Sequence, residues 1–148
     1  MNFKHVVIST DLSPSSLKAL EPAIQLADRS DAKVTLLHVC EAFDALPHGA
    51  PMSPTIEAFD TDERVVAAKT ELSAWAKVHD ADAAVAVIAD DNVADGVAKY
   101  VTEVGADLLA VATHGRTGWR HLILGSVAAD ILRHSPVPVI SFPLLKEA

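Results

Sequence analysis

Residues 107–127, DLLAVATHGRTGWRHLILGSV, constrain the fold of this chain more than any other stretch. The segment opens on Leu108, Leu109, Ala110, Val111 and Ala112, an apolar run with no polar alternation. A strand of that kind is buried on both faces, so it belongs in a parallel sheet between two helical layers. His114-Gly115 then opens a loop that includes Gly118. Gly125-Ser126 starts a helix, with Ser126 as its expected N-cap. Gly125 lets the backbone approach a neighbour closely. Strand, glycine-punctuated loop and helix N-terminus together make an anion site, because free N–H groups and the positive end of the helix converge on the loop.

The rest of the chain repeats the strand-then-helix pattern. Residues 4–10, with Val6, Val7 and Ile8, predict a first strand closed by Thr10-Asp11. Ser13-Pro14 starts a helix whose apolar face carries Leu17, Leu20, Ile24 and Ala27. Pro22 falls inside that pattern and predicts a bend, since the apolar face continues past it. Residues 33–40 form a second strand, and 41–54 form a loop by their Pro and Gly content. A long helix over 55–78 presents Val65, Ala68, Leu72 and Trp75. Residues 83–89 make a third strand. Asn92 begins a third helix, either as a cap or in an unusual backbone conformation, with Val93, Val97, Val101 and Val104 on one face. Gly105 ends it. The fourth helix spans 127–134, and 137–142, containing Pro138, form the last strand at a sheet edge.

This order predicts an α/β fold, a five-stranded parallel doubly wound sheet in the order 3-2-1-4-5 with helices on both faces. The switch point lies between the first and fourth strands, which brings Thr10-Asp11 and residues 112–115 to one crevice. The length, 148 residues, fits a single domain over 1–148. The net charge of −8, with no basic tail, argues against nucleic acid as a partner. His114, Arg116, Arg120 and His121 supply a locally basic segment for an anion. No apolar stretch is long enough to cross a membrane. One cysteine, Cys40, and the lack of a signal-peptide pattern point to the cytoplasm.

Gly115, the nine residues Arg116 to Leu124, and Gly125-Ser126 resemble the nucleotide-binding motif of the universal stress protein family, Gly-x2-Gly-x9-Gly-(Ser/Thr). The first motif position is Ala112 here, the smallest replacement for glycine. The resemblance covers nearly the whole chain. It implies an ATP-binding member, with or without Mg2+, that acts in stress response as a homodimer paired through its C-terminal strand, with an unidentified protein partner. By the same resemblance Thr10 and Asp11 meet the nucleoside and Val39 lines the adenine pocket. Val111, Ala112, His114, Gly115, Arg116, Gly125, Ser126 and Val127 complete the ligand-binding set. ATP is expected to order residues 113–125 and so alter the surface a partner meets.

Three alternatives stay open. The first is a member that does not bind ATP, favoured by Ala112. The second is a slow ATPase or a protein that phosphorylates itself on Ser126 or Thr117. The third is a flavin or other nucleotide carrier; against the flavin version stands an aromatic content of 5%. No P-loop lysine, GxSxG elbow, HExxH or CxxC spacing occurs, and no residue stands out as a base for water. No catalytic or metal-ligating residue is therefore assigned. His38 reads as a satisfied core residue and Cys40 as an unreactive thiol.

Overall fold

The computed structural model describes residues 2–42, 61–113 and 125–143. Five strands and four helices alternate along them: β1 His5–Ser9, α1 Pro14–Asp28, β2 Lys33–Glu41, α2 Thr61–Val78, β3 Ala84–Asp90, α3 Val93–Glu103, β4 Leu108–Thr113, α4 Ser126–His134 and β5 Val139–Pro143. The sheet runs β3-β2-β1-β4-β5, with every neighbouring pair parallel. This is the expected order.

Strand residues alternate between two separate cores. Val6, Ile8, Leu36, Leu108 and Ala110 pack with Leu20 and Ala23 of α1 and Leu72 of α2. Val7, Leu37, Leu109 and Val111 face the other way, against Val97 and Val101 of α3 and Ile131 of α4. The central strands β1 and β4 are buried almost throughout, as their unbroken apolar runs demand. The edge strands β3 and β5 are only partly covered.

Local signals set most helix ends. Ser13 caps α1, its side chain accepting from the Ser16 N–H, with Pro14 at the first helical position. The helix runs unbroken past Pro22, held by buried Leu20, Ala23 and Ala27 on either side of it. Asn92 acts as a cap, with φ −133° and its side chain accepting from the Asp95 N–H. Gly105, at φ +65°, follows the α3 C-cap Val104. Its N–H bonds the Thr102 carbonyl at 3.2 Å and that of Ala106 bonds Val101 at 3.1 Å, a Schellman closure.

Two expectations change. Ser126 is not the N-cap of α4. Gly125 holds that place, with no side-chain capping bond, and Ser126 is the first helical residue. Gly and Ser both favour helix starts, so only the backbone geometry separates them. The last strand begins at Val139 rather than 137. Ser135 and Val137 bond each other locally, which holds them out of the ladder, and the Pro138 carbonyl accepts from the Leu109 N–H at 3.0 Å. The expected helical residues 55–60 lie outside the described residues.

Candidate functional site

β1 and β4 are neighbours, but their following helices lie on opposite faces of the sheet. The chain therefore parts at their C-terminal ends, which is where open α/β sheets bind ligands. A cavity of about 530 Å³ lies there. Eight expected site residues line it: Thr10 and Asp11 after β1, Val39 on β2, Val111 and Ala112 on β4, and Gly125, Ser126 and Val127 at the start of α4. His114, Gly115 and Arg116 lie outside the described residues, as do Thr117, Arg120, His121 and the loop segment from 43 to 54.

The corner after β1 is held by hydroxyls. Thr10 Oγ1 and Ser16 Oγ are 2.6 Å apart, both side chains buried. The Asp11 N–H donates to Ser16 Oγ at 3.3 Å and the Leu12 N–H to Thr10 Oγ1 at 3.1 Å. Asp11 Oδ1 accepts from the Ser13 N–H at 2.9 Å. Asp11 thus shapes the turn into α1 and also faces the cavity. Leu12 carries φ +65°, a conformation costly for a branched side chain, and these bonds hold it there.

The second strand outruns the first. The last β1–β2 register pair is Ser9 with Leu37, whereas β2 stays paired with β3 to Glu41. In a parallel ladder the two main-chain groups of one residue face the same neighbour. Odd-numbered residues of β2 face β1: the Lys33 N–H bonds the Lys4 carbonyl and the Leu37 carbonyl accepts from the Thr10 N–H, both at 2.9 Å. Even-numbered Ala42 beyond the strand bonds Asp90 of β3 at 2.9 Å. Val39 therefore presents its N–H and C=O on the side where β1 has ended.

The opposite wall is the N-terminus of α4. Gly125 has φ −57° and ψ 152°, a conformation open to any residue. A Cβ added there meets no described atom within 4 Å. Neither its own backbone nor its packing against the described residues demands glycine, so what its missing side chain preserves there is the space beside the first turn. Among the described residues no side chain caps the first N–H groups of α4, and the helix dipole favours negative charge at that end. A planar base at the strand edge and an anionic group at the helix start match this donor set.

Reading the residues alone missed Ser16, His38, Val93 and Ile131, all of which line the cavity. Ser16 sits one turn into a helix that starts beside the site, a spacing that was available. His38 was expected in the core. It is half-buried at the cavity wall, and its Nδ1 lies 2.8 Å from the Thr10 carbonyl oxygen. Cys40 is buried, and burial pushes its thiol pKa up, against a weaker opposing pull from Arg64. At the corner between β3 and α3, Lys99 donates to Asp90 at 2.8 Å. That bond, helped by the Asn92 N–H, holds the Asp90 carboxyl below its ordinary value.

Comparison with known proteins agrees with this architecture. The sequence profile of the Universal stress protein family matches residues 2–143. Universal stress protein MJ0531 of Methanocaldococcus jannaschii is 29% identical over 148 residues, covering 95% of this chain and 84% of that protein. A universal stress protein crystallised in complex with cAMP is 27% identical, with a TM-score of 0.67 over 98% of this chain and 100% of the other. UspA from Lactobacillus plantarum shares the fold at 20% identity, with a TM-score of 0.69 over 96% of this chain and 99% of that one. The 3-2-1-4-5 sheet, the crevice at its switch point and a profile spanning both place the chain in one group: it belongs to the universal stress protein family.

Proposed function

We propose that this chain is a cytoplasmic ATP-binding module, one domain over residues 1–148, that works as a homodimer in the stress response. The observation that carries the reading is the pairing, in one cavity, of an open strand edge at Val39 with an uncapped helix start at Gly125. A main-chain N–H beside a C=O complements the acceptor N1 and donor N6 of adenine, as one strand complements another. The amides of Ser126 and Val127 suit phosphate, and Asp11 and Thr10 suit ribose hydroxyls. The relative crystallised with cAMP supports an adenine nucleotide as the ligand class. The triphosphate, accompanied by Mg2+, is the further step drawn from the sequence motif.

β5 supports the dimer. It is an edge strand with half-buried Val139, Ile140 and Phe142, and pairing it with a second copy removes an exposed edge. Nucleotide occupancy then alters the surface offered to a protein partner, and slow hydrolysis or autophosphorylation is at most secondary. Ala112, whose methyl group stands at the cavity wall, favours a second reading in which the protein acts through dimerisation and protein contacts alone.

Denaturing the purified protein and weighing the released small molecules by mass spectrometry separates the readings. The expected result is an adenine nucleotide. A flavin, or a protein that neither carries nor takes up ATP, AMP or cAMP, contradicts the nucleotide reading. Sedimentation of the same sample tests the dimer.

A further inference from the structure

We infer that His38 is the residue that keeps the purine-recognition edge open. This rests on the proposed base contact at Val39. In a parallel ladder, a residue that donates to one neighbour across the gap accepts from the residue two further on. Thr10 donates its N–H to the Leu37 carbonyl, so the next rung runs from the Val39 N–H to the Thr10 carbonyl. That rung is absent among the described residues. Its acceptor is taken instead by the His38 side chain, whose Nδ1 lies 2.8 Å from the Thr10 oxygen.

The chemistry of the contact fixes the proton. A carbonyl oxygen only accepts, so in this contact Nδ1 carries the hydrogen and donates it. A carbonyl at the end of a strand needs a partner, and the imidazole supplies one from the residue directly alongside. Among the described residues no backbone carbonyl accepts from the Val39 N–H, which stands at the cavity wall beside its own C=O, and the imidazole holds the Thr10 carbonyl turned away from it. Without His38 the ladder gains one more rung, and the donor that reads the base is spent inside the sheet. The imidazole acts as a positioning residue. It selects between a closed sheet end and an open one, and so sets the preference for an adenine edge over a hypoxanthine edge.

AMP and inosine monophosphate are the probes, since they share ribose and phosphate and differ at the base edge. Calorimetric titration of the wild-type protein is expected to favour AMP. In His38→Phe, which cannot donate, AMP affinity falls about tenfold, the worth of one hydrogen bond to the base. Inosine monophosphate binding stays the same, so the preference collapses. His38→Asn, whose amide N–H can reach the same carbonyl, restores it. A His38→Phe protein that discriminates as well as wild type overturns the role of His38 and leaves the nucleotide reading standing.

Amide hydrogen exchange of the unliganded protein gives a second readout, free of any nucleotide. The Val39 amide exchanges fast in wild type and slows in His38→Phe as the rung closes. A wild-type Val39 amide as protected as that of its ladder neighbours overturns the inference even if the variant does not fold. Fast Val39 exchange in a protein that binds neither nucleotide retains the open edge and removes the purine as its occupant.

Discussion

The Ser16 hydroxyl ties α1 to the end of β1, touching Thr10 Oγ1 at 2.6 Å and the Asp11 N–H at 3.3 Å with 2% of the residue exposed. Ser16→Ala leaves both partners short of a bond at a corner where the Thr10 and Ser16 side chains are buried. Urea denaturation is expected to show a loss of about 1–3 kcal/mol, the cost of unsatisfied buried polar groups. A loss too small to resolve would mean that water or a shift of the corner replaces the hydroxyl. At this scale the sequence was legible where a strand ends. Thr10, Asp11 and Ala112 stood out because alternation of strand and helix brings strand ends to one crevice, and Val39 through the family resemblance alone. Ser16 and His38 escaped because each reads as part of a helix or strand face. Their roles depend on how far β1 reaches along β2, which no local spacing encodes.

Where α3 crosses β2 and β3, the elements meet closely. A Cβ placed on Gly96 would lie 2.9 Å from the Asp90 Cβ and 3.0 Å from Val39 Cγ1. Glycine here lets the helix settle against the strand that carries the candidate base edge. Gly96→Ala is expected to destabilise the fold by about 1–3 kcal/mol through overpacking, despite alanine's better helix propensity. Because Val39 is one of the two side chains that must shift, nucleotide affinity falls with it. Paired thermal melts and titrations check this, and a more stable Gly96→Ala protein would contradict the tight crossing. The elements themselves followed from apolar periodicity and caps, down to Pro22 within α1 and Asn92 before α3. Ser126 and Val137 did not, since the start of α4 and of β5 turn on backbone angles and a local Ser135 bond.

For the whole molecule, His5 links stability to pH. It is buried in β1, with Nε2 2.9 Å from the Thr35 hydroxyl of β2. Burial, reinforced by the nearby Lys33 ammonium, holds its pKa below the ordinary 6.5, outweighing the Val104 carbonyl and Asp107. The fold therefore prefers the neutral ring. Between the folded and unfolded values the unfolded chain binds more protons, so this contribution is full above about 6.5 and is lost as pH falls below it. Asp107, held low chiefly by the His5 N–H, keeps its own contribution until pH falls below 3.8. Denaturation midpoints measured from about pH 7 down to pH 5 are expected to fall in wild type and to flatten in His5→Gln. Equal slopes would assign the effect to other groups.

The sheet order was legible across the whole chain because two-faced burial, right-handed crossovers and chain order leave few alternatives. The proposed ligand was legible only as a class, since a crevice with an amide edge and a helix start offers the same groups to several adenine nucleotides. Calorimetric titration of ATP into wild-type protein and Gly125→Val tests that class most directly. The account predicts saturable binding by wild type and a loss of at least about tenfold in the variant, with folding free energy changed by no more than about 1 kcal/mol. Equal affinity in both proteins, or no binding by wild type, would contradict it.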